Sequence, residues 1–255
     1  MIIDVSKHNG KLNWSTLKEN IEGAIVRCGY GNDEVAQDDP RFKENIEGAI
    51  AAGVPVGVYL YSYASNKAEA ISEANHVKRL VGPYKDKLSL PIYIDVEEQK
   101  YAGVAKEVVV TFCEELEKDH YFVGVYANQN WWKNYLVGIN DYTKWVARYS
   151  SMEPQVENTD LWQYSSQGSL PGCSGRLDVN TLKRVTLIDE VRAYYGGRSC
   201  KATAQPTSVE YVVKDGDTLS AIAKANGTTI KKIMEMNPII KDKNKIQVGW
   251  KLKVK

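Results

Sequence analysis

Four acidic residues lie at the ends of three apolar runs in this sequence: Asp4, Asp95, Glu97 and Asp178. On a strand, residues two apart point to the same face, so Asp95 and Glu97 can face one cavity about 6.6 Å apart along the strand. Two carboxyl groups in a water-poor cavity rarely ionise together, and one is then held protonated as a general acid. Cleavage of a glycosidic bond requires this division between an acid and a carboxylate.

Two other uses of these acids are open. An acid at the end of a strand can cap the following helix or lie solvated in a loop. Four acids on three strand ends that meet at one rim make this use less expected than catalysis. Clustered carboxylates also bind Mg²⁺ or Ca²⁺. Because no glycine-rich phosphate loop accompanies them, we rank a metal site lower and expect neither a metal nor a cofactor.

The aromatic residues favour a sugar ligand. The chain has 16 Tyr and 6 Trp but only 3 Phe. Tyr and Trp combine an apolar face with a polar tip, which suits sugar rings that stack and form hydrogen bonds, although about half of these side chains should belong to the core. Residues 162–164 are the expected pocket wall. The predicted substrate-binding residues are Tyr59, Tyr61, Tyr126, Trp162 and Gln163.

The elements that must position these residues alternate between strands and helices over about 190 residues. Strands are predicted at 2–5, 24–28, 55–61, 90–96, 122–126, 144–149, 161–164 and 176–179, and helices at 14–21, 41–52, 68–80 and 104–119. Many strands are continuously apolar, which is typical of a parallel sheet buried on both faces. The pattern therefore predicts an α/β fold, either a (β/α) barrel or a doubly wound sheet. The later helices are short or missing, so we do not expect a complete ring of eight.

Composition divides the chain into two segments. Residues 209–255 contain ten Lys and five acidic residues, a net charge of +5, whereas the other 208 residues carry −4. A stretch at 196–208, poor in large apolar residues and rich in turn formers, predicts a linker between them. The overall charge of +1 argues against a nucleic-acid binder. The four cysteines lie far apart without a Cys-x-x-Cys pair, so a zinc site is not expected.

Nothing in the sequence indicates a membrane protein or a secretory signal. No apolar run approaches the roughly 20 residues of a membrane-spanning helix, so we expect no membrane insertion. The N-terminal residues MIIDVSKHNG lack a basic segment followed by an apolar one. We therefore expect synthesis in the cytoplasm without a signal peptide.

Six motifs resemble glycoside hydrolase family 25, the lysozymes found among phage and bacterial wall-degrading enzymes. They are IDVS at 3–6, GVYLYSY at 57–63, IDVE at 94–97, WVARY at 145–149, LWQY at 161–164 and LDVN at 177–180. They occur in the family's order and assign residues 1–195 to its catalytic domain. The resemblance implies an irregular (β/α) barrel of the TIM type that hydrolyses the β-1,4 bond between N-acetylmuramic acid and N-acetylglucosamine in peptidoglycan.

The resemblance also implies roles for the acids. Glu97 corresponds to the general acid that protonates the leaving oxygen. Asp95 corresponds to its partner, which either orients the 2-acetamido group of the substrate or acts as the nucleophile. Asp4 and Asp178 correspond to two supporting acids at the rim. The D-x-E spacing favours the substrate-assisted route, which is a known exception to the two-carboxylate scheme.

The segment 209–255 resembles a LysM module, which implies a βααβ fold that binds chains containing N-acetylglucosamine. Its pattern of strand, turn, helix, second helix ended by Asn-Pro, and strand agrees with this fold. By the same resemblance, the residues that line the glycan groove are Gly216, Asp217, Thr218, Leu219, Asn237, Pro238 and Ile239.

These observations predict a peptidoglycan hydrolase tethered to its wall substrate, with peptidoglycan glycan strands as its partner. Tethering raises the local concentration of substrate. We expect action at the bacterial cell wall after holin-type release or another form of export. Two alternatives remain: a chitinase-like hydrolase of N-acetylglucosamine polymers, and a catalytically silent wall-binding protein. The second is weakened by the presence of all four rim acids.

Overall fold

The computed structural model describes residues 1–196, 210–214, 216–226, 228–237, 239–240, 242 and 245–254. The chain forms two compact units, Met1–Arg198 and Ser199–Lys255. The predicted linker at 196–208 lies outside the described residues except for Gly196, and Cys200 lies outside them too. The two units are therefore described separately.

The first unit is a closed barrel of eight strands that follow one another in chain order. Each pair of neighbours from β1 to β7 is parallel, whereas β8 is antiparallel to both β7 and β1. Closure excludes the doubly wound sheet and confirms the predicted barrel. The strands are β1 (Ile2–Val5), β2 (Gly23–Tyr30), β3 (Val56–Tyr61), β4 (Leu88–Asp95), β5 (Val123–Asn128), β6 (Thr143–Ala147), β7 (Leu161–Gly168) and β8 (Leu177–Leu182).

The helices cover the barrel unevenly, as the sequence predicts. They are α1 (Trp14–Leu17), α2 (Phe42–Ala51), α3 (Lys67–Val81), α4 (Ala105–Glu117), α5 (Gln129–Asn134) and α6 (Leu187–Tyr195). No α-helix follows β6 or β7, so the ring is incomplete. The helix predicted at 14–21 ends at Leu17, because the chain turns back to begin β2 with a hydrogen bond from Glu22 N to Met1 O of 2.8 Å.

Aromatic side chains fill the interior of the barrel. The buried indole of Trp145 lies at the centre, and the rings of Tyr59, Tyr93 and Tyr126 contact it with centroid distances of 6.0, 5.1 and 4.5 Å. Edge-to-face contacts of this kind add to the stabilisation from burial. Gly124 is needed beside them, since a Cβ there would lie 2.5 Å from the Tyr93 ring. The barrel interior is thus a packed core and not an open channel.

Two expectations about the acid-bearing strands need correction. Glu97 does not lie on β4, which ends at Asp95, but in the segment that follows it. Asp178 does not end its strand but is the second residue of β8. Because β8 runs antiparallel to the other strands, its beginning reaches the rim at which the parallel strands end. Asp178 therefore lies at the expected rim, but near the beginning of its strand instead of at the end.

The second unit is small and has the βααβ order of elements predicted for it. Eight buried apolar side chains form its core among the described residues, including Val213, Leu219, Ile233 and Leu252. Strands β9 and β10 form a two-stranded antiparallel sheet. The elements are β9 (Glu210–Val212), α7 (Leu219–Ala225), α8 (Ile230–Met236) and β10 (Lys251–Lys253). Within the described residues of both units, no helix has the length and apolarity to cross a membrane.

Candidate active site

Asp4 lies in the interior of the barrel just below the rim, and its side chain is held by two amides. Its Oδ2 accepts hydrogen bonds from Asn180 Nδ2 at 2.8 Å and from Gln163 Nε2 at 3.0 Å. Burial and the nearby charge of Asp178 raise the pKa of Asp4 to about 7, although the two amide donors act in the opposite direction. Near neutral pH, Asp4 is therefore divided between its acid and its carboxylate forms.

Asp95 is buried beside Asp4, and three carboxyl groups meet here. Burial is the main cause that raises the pKa of Asp95 well above its usual range, and the charges of Glu97 and Asp4 raise it further. Arg27 opposes them. The Oδ1 atom of Asp95 is inaccessible to water and has no hydrogen-bond partner among the described residues. A buried oxygen without a hydrogen-bond partner is costly when the carboxyl group is ionised, so it favours the protonated form of Asp95.

Glu97 reaches solvent at the mouth of the barrel. Partial enclosure raises the pKa of its carboxyl group, the charges of Glu98 and Asp178 raise it further, and the hydroxyl of Tyr61 lowers it. The buried and half-buried acids thus carry raised pKa values as a group, since burial also raises the pKa of Asp178. The arrangement supplies an accessible carboxyl group with a raised affinity for its proton above a buried carboxylate pair.

Glu98 is a further acidic residue of the site, beyond the four predicted acids. The Tyr61 hydroxyl donates to Glu98 Oε1 at 2.9 Å, and Tyr61 lies opposite Asp95 in the pairing of β3 with β4. Glu98 therefore places an additional negative charge beside Glu97. The signal was present in the sequence as two consecutive glutamates after Asp95 and Val96.

Gln163 connects two tyrosines to Asp4. Its Oε1 accepts from the hydroxyls of Tyr126 at 2.9 Å and Tyr149 at 3.0 Å, while its Nε2 donates to Asp4. Gln163 and Tyr126 are buried, but Tyr149 is 60% exposed. Tyr149 was missed as a site residue, although it ends the WVARY motif. Tyr59 completes the set beneath the acids, where the charges of Asp4 and Asp95 help to raise its pKa.

Trp162 contacts residues outside the group of acids. It lies between Leu161 and Gln163, whose side chains point into the barrel, and successive strand residues point to opposite faces. Its ring contacts Tyr164 at a centroid distance of 5.7 Å, and its Nε1 donates to Arg148 O at 2.8 Å. Gln163 thus reaches Asp4, while the role of Trp162 and Tyr164 in the pocket wall stays a prediction.

Two further residues were missed because their partners lie far away in the sequence. Asn180 shares the face of Asp178 on β8, but its contact with Trp145 spans 35 residues. Arg27 lies on β2, and its guanidinium group is held by Asp39 at 2.7 Å. It provides a positive charge close enough to Asp95 to lower the pKa of that acid.

In the second unit, several predicted groove residues have structural contacts. Leu219 is a core side chain. Asp217 accepts from the backbone N–H of Lys214 and the hydroxyl of Tyr211, both at 2.8 Å. Asn237 is buried, donates to Ile233 O and Lys253 O, and accepts from Lys253 N.

The other predicted groove residues have different surroundings. Gly216 adopts a positive φ of 81° at an exposed turn, and Ile239 is 59% exposed. Thr218 is exposed, and its Oγ1 accepts from Ala221 N at 3.2 Å. Pro238 lies outside the described residues. Exposed surface for a ligand is thus found at Gly216, Thr218 and Ile239.

A metal would need at least three suitable side chains in one place. In the part of the chain that the structure describes, no group of three or more His, Cys, Asp or Glu is arranged to hold a metal ion. The four rim acids interact through their charges, and amide side chains hold one of them, Asp4, by hydrogen bonds. Their arrangement is suited to proton transfer and to hydrogen bonding with a ligand.

Comparison with known proteins places both units in described families. Residues 3–173 match the profile described as Glycosyl hydrolases family 25, and residues 211–255 match that of the LysM domain. An autolytic lysozyme of Clostridium acetobutylicum is 25% identical over 189 residues, which are 73% of this chain and 56% of that protein.

Two solved structures are similar to the first unit. The catalytic domain of endolysin ply40 from bacteriophage P40 of Listeria monocytogenes has a TM-score of 0.66 and 27% identity, over 75% of this chain and 96% of that one. The modular autolysin LytC from Streptococcus pneumoniae, in complex with a synthetic peptidoglycan ligand, has a TM-score of 0.63 and 32% identity. That match covers 70% of this chain and 45% of LytC. The chain thus spans about half the length of the autolytic lysozyme and of LytC.

Proposed function

The chain belongs to family 25 of the glycosyl hydrolases, and we propose on this basis that it is a peptidoglycan hydrolase. The bond it cleaves is the β-1,4 bond between N-acetylmuramic acid and N-acetylglucosamine. Its place of action is the bacterial cell wall, reached by holin-type release or another form of export. The names of an autolytic lysozyme and of endolysins among its relatives support this substrate.

The observation that carries the proposal is the convergence of Asp4, Asp95, Glu97 and Asp178 on one rim, with raised pKa values for all four. A catalytically silent relative would not need to keep buried acids, since each costs folding free energy in its ionised form. Surrounding tyrosines supply faces and hydroxyls for a sugar. These features favour an enzyme over a binding protein.

Glu97 acts in this proposal as the general acid. It is the accessible member of the group, and its raised pKa lets it keep its proton to a higher pH than an ordinary glutamate. The proton passes to the glycosidic oxygen as the bond from that oxygen to the anomeric carbon breaks. Glu97, now ionised, later takes a proton from the attacking water, so that its starting form is restored.

Asp95 acts in this proposal as the partner of Glu97. Its carboxyl group accepts the N–H of the 2-acetamido group, whose carbonyl oxygen then attacks the anomeric carbon. The route is substrate-assisted. A covalent sugar on Asp95, trapped with a slow substrate and detected by mass spectrometry, would instead establish Asp95 as the nucleophile.

The second unit acts as an anchor on the same glycan. Its match to the LysM domain and the exposed surface at Gly216, Thr218 and Ile239 support this role. An anchor raises the concentration of glycan strands near the barrel. The lysine excess of the segment adds a weak, salt-screened attraction to an anionic wall.

The experiment that tests the function is digestion of purified peptidoglycan followed by borohydride reduction and mass spectrometry of the soluble fragments. Fragments with reduced N-acetylmuramic acid ends from the wild type, and none from Glu97→Gln, are expected. Glu107→Gln, a change of the same type at an exposed position on α4, is the control and should retain activity. Reduced glucosamine ends would contradict the assigned bond, and the absence of fragments from the wild type would leave a binding protein.

Cleavage of chitin oligomers tests the alternative that the protein is a chitinase-like hydrolase. A chitinase-like hydrolase would cleave them at a rate comparable with peptidoglycan, whereas the proposed enzyme cleaves them at least tenfold more slowly. The ratio of the two kcat/KM values, measured on the same preparation, decides between the two substrates.

A further inference from the structure

The orientation of the Asn180 amide is determined by Trp145. The indole Nε1 of Trp145 donates to Asn180 Oδ1 at 2.7 Å. An indole N–H can only donate, so the amide oxygen must face Trp145 and the amide nitrogen must face away from it. Asn180 Nδ2 then donates to Ile2 O at 3.3 Å and to Asp4 Oδ2 at 2.8 Å. Asn180 and Trp145 are 0% and 1% exposed, so water does not compete for these contacts.

Gln163 approaches Asp4 from the other side. Its Oε1 accepts from two tyrosine hydroxyls, as described above, and its Nε2 donates to Asp4 Oδ2 at 3.0 Å. Because a tyrosine hydroxyl can also accept, this orientation follows from the ionised Asp4 oxygen, which can only accept. Gln163 is 3% exposed. Two amides thus donate to the same oxygen of one carboxyl group.

A carboxylate oxygen has two in-plane lone pairs. Both lone pairs of Asp4 Oδ2 are engaged by amide donors, so a proton bound there would displace one of them. A proton on Oδ1 leaves both hydrogen bonds in place. In the neutral form of Asp4, Oδ2 is then the carbonyl oxygen and Oδ1 the hydroxyl oxygen.

We propose that Asn180 and Gln163 are positioning residues that hold Asp4 by Oδ2 alone and so assign the proton of its neutral form to Oδ1. Asp4 consequently offers one hydrogen-bond donor at a defined atom, either to Asp178, its partner across β1 and β8, or to a bound substrate. This inference rests on the proposed function only for its effect on the rate.

The consequence for the reaction concerns charge. An ionised Asp4 would add a negative charge beside Asp95 and oppose its ionisation, since carboxylates in one site disfavour each other's charge. A neutral Asp4 with its proton on Oδ1 removes this repulsion without losing the contacts that hold it. A neutral Asp4 therefore makes ionisation of Asp95 less unfavourable.

The test uses the full chain without substrate. Asp carboxyl groups are labelled with ¹³C, and the Asp4 signal is assigned by its loss in Asp4→Asn. Gln163→Met removes one donor, and Asn180→Leu removes the other. Gln167→Met makes the same change four residues further along β7, where the side chain is exposed and contacts Ser166, and it serves as the matched control.

Loss of one hydrogen bond to the ionised form should move the titration midpoint of Asp4 upward by about one pH unit. The control should leave the midpoint unchanged. If Asn180→Leu does not fold, Gln163→Met carries the test alone, because Gln163 lies at the rim. An unchanged or lower midpoint in Gln163→Met, or an equal shift in Gln167→Met, would overturn the proposal.

The position of the proton has its own signature in the infrared spectrum. The difference spectrum between wild type and Asp4→Asn at pH 5 isolates the carbonyl stretch of neutral Asp4. If Oδ2 is the carbonyl oxygen, removal of one donor in Gln163→Met raises the frequency of this stretch. An unchanged frequency would place the proton on Oδ2 and contradict the assignment.

Activity distinguishes positioning from a purely structural role. With peptidoglycan fragments as substrate, Gln163→Met should lower kcat by roughly tenfold with KM changed less than twofold. A fall in thermal stability with unchanged kcat at low temperature would indicate a structural role only. Failure of the wild type to release muramic acid ends would remove the proposed function but leave the titration and the infrared result standing.

Discussion

Asp4 and Asp178 lie directly opposite each other in the antiparallel pairing of β1 with β8. Side chains of directly opposite residues in such a pair have Cβ atoms about 4.5–5.5 Å apart. Two carboxyl groups at this separation cannot both ionise easily, which agrees with the contribution of Asp178 to the raised pKa of Asp4. The reversed direction of the last strand is thus what brings the first and last acids of the barrel together.

Removal of the Glu98 charge should make Glu97 a stronger acid. Glu98 is a cause of the raised pKa of Glu97, so Glu98→Gln lowers that pKa and moves the basic limb of the kcat/KM profile to lower pH. Above the midpoint, we expect roughly threefold lower kcat/KM than in the wild type, and no loss well below it. Glu107→Gln, an equal change of charge on α4, should leave the profile in place. A basic limb at the wild-type pH in Glu98→Gln would show that Glu98 does not affect Glu97.

Glu73 should make the fold less stable as the pH rises. This buried residue on α3 binds Ser62 Oγ at 2.6 Å and Tyr63 N at 2.7 Å, and burial raises its pKa to about 7. Between pH 4.5 and pH 7, the unfolded chain has lost a proton that the folded chain keeps, so the free energy of unfolding decreases by about 3 kcal/mol. Glu73→Gln mimics the protonated form and should remove this decrease, as measured by urea unfolding at several pH values.

The control for that measurement is Glu69, a glutamate on the same helix whose pKa is lowered instead of raised. Glu69 accepts hydrogen bonds from Ser65, which lower its pKa. Its contribution to stability is therefore present above the pKa of the unfolded chain and is lost as the pH falls. Glu69→Gln should change the acid side of the profile. Because the charge of Glu69 is the smallest cause of the raised pKa of Glu73, this variant should reduce the decrease between pH 5 and pH 7 only slightly. Equal slopes for wild type and Glu73→Gln in that range would contradict the assignment to Glu73.

Close packing at Gly124 should make even one methyl group costly. A Cβ at this position would lie 2.2 Å from Thr143 Oγ1 and 2.5 Å from the ring of Tyr93. Gly124→Ala should therefore lower stability by about 2 kcal/mol and the Tm by roughly 4–8 °C. Gly103→Ala is the matched control, since a Cβ there contacts nothing within 4 Å. Calorimetry of both variants provides the comparison, and equal Tm values would refute the packing argument.

Two residues of the second unit should separate folding from binding. Asn237→Ala leaves backbone groups of Ile233 and Lys253 without their buried partner, which should cost about 2–3 kcal/mol. Ile239→Ser changes an exposed side chain and should leave stability within about 0.5 kcal/mol, but weaken binding to insoluble peptidoglycan. Sedimentation with peptidoglycan and thermal unfolding of the full chain measure both effects. Unaltered binding by Ile239→Ser would place the groove elsewhere.

Much of the fold follows from local patterns. The strands around Ile25, Val58 and Ile92 are apolar runs with β-rich composition, and these are local properties that need no knowledge of partners. The antiparallel direction of β8 could also be predicted from the sequence. Only eight residues, 169–176, connect it with β7, which is too short for the crossover that a parallel neighbour requires.

The side-chain contacts around the four acids were harder to predict from the sequence. Trp162 and Gln163 are adjacent in the sequence, and alternation shows that they face opposite sides without showing which one faces the acids. Asn180 and Trp145 are both recognisable as strand residues, but their contact depends on how the barrel closes. Tyr149 follows the end of β6, and its hydroxyl meets Gln163 only because β6 and β7 are neighbours.

The sequence by itself determined the succession of strands and helices along the chain, the two-unit composition and the positions of the four acids near strand ends, because each depends on residue type and near neighbours. Only the tertiary structure decided which acids are buried, which oxygen of Asp4 is held and which tyrosines reach the site. Protonation depends on the exclusion of water and on charges contributed by distant parts of the chain. Asp4 and Asn180 are 176 residues apart, and no local pattern could have joined them.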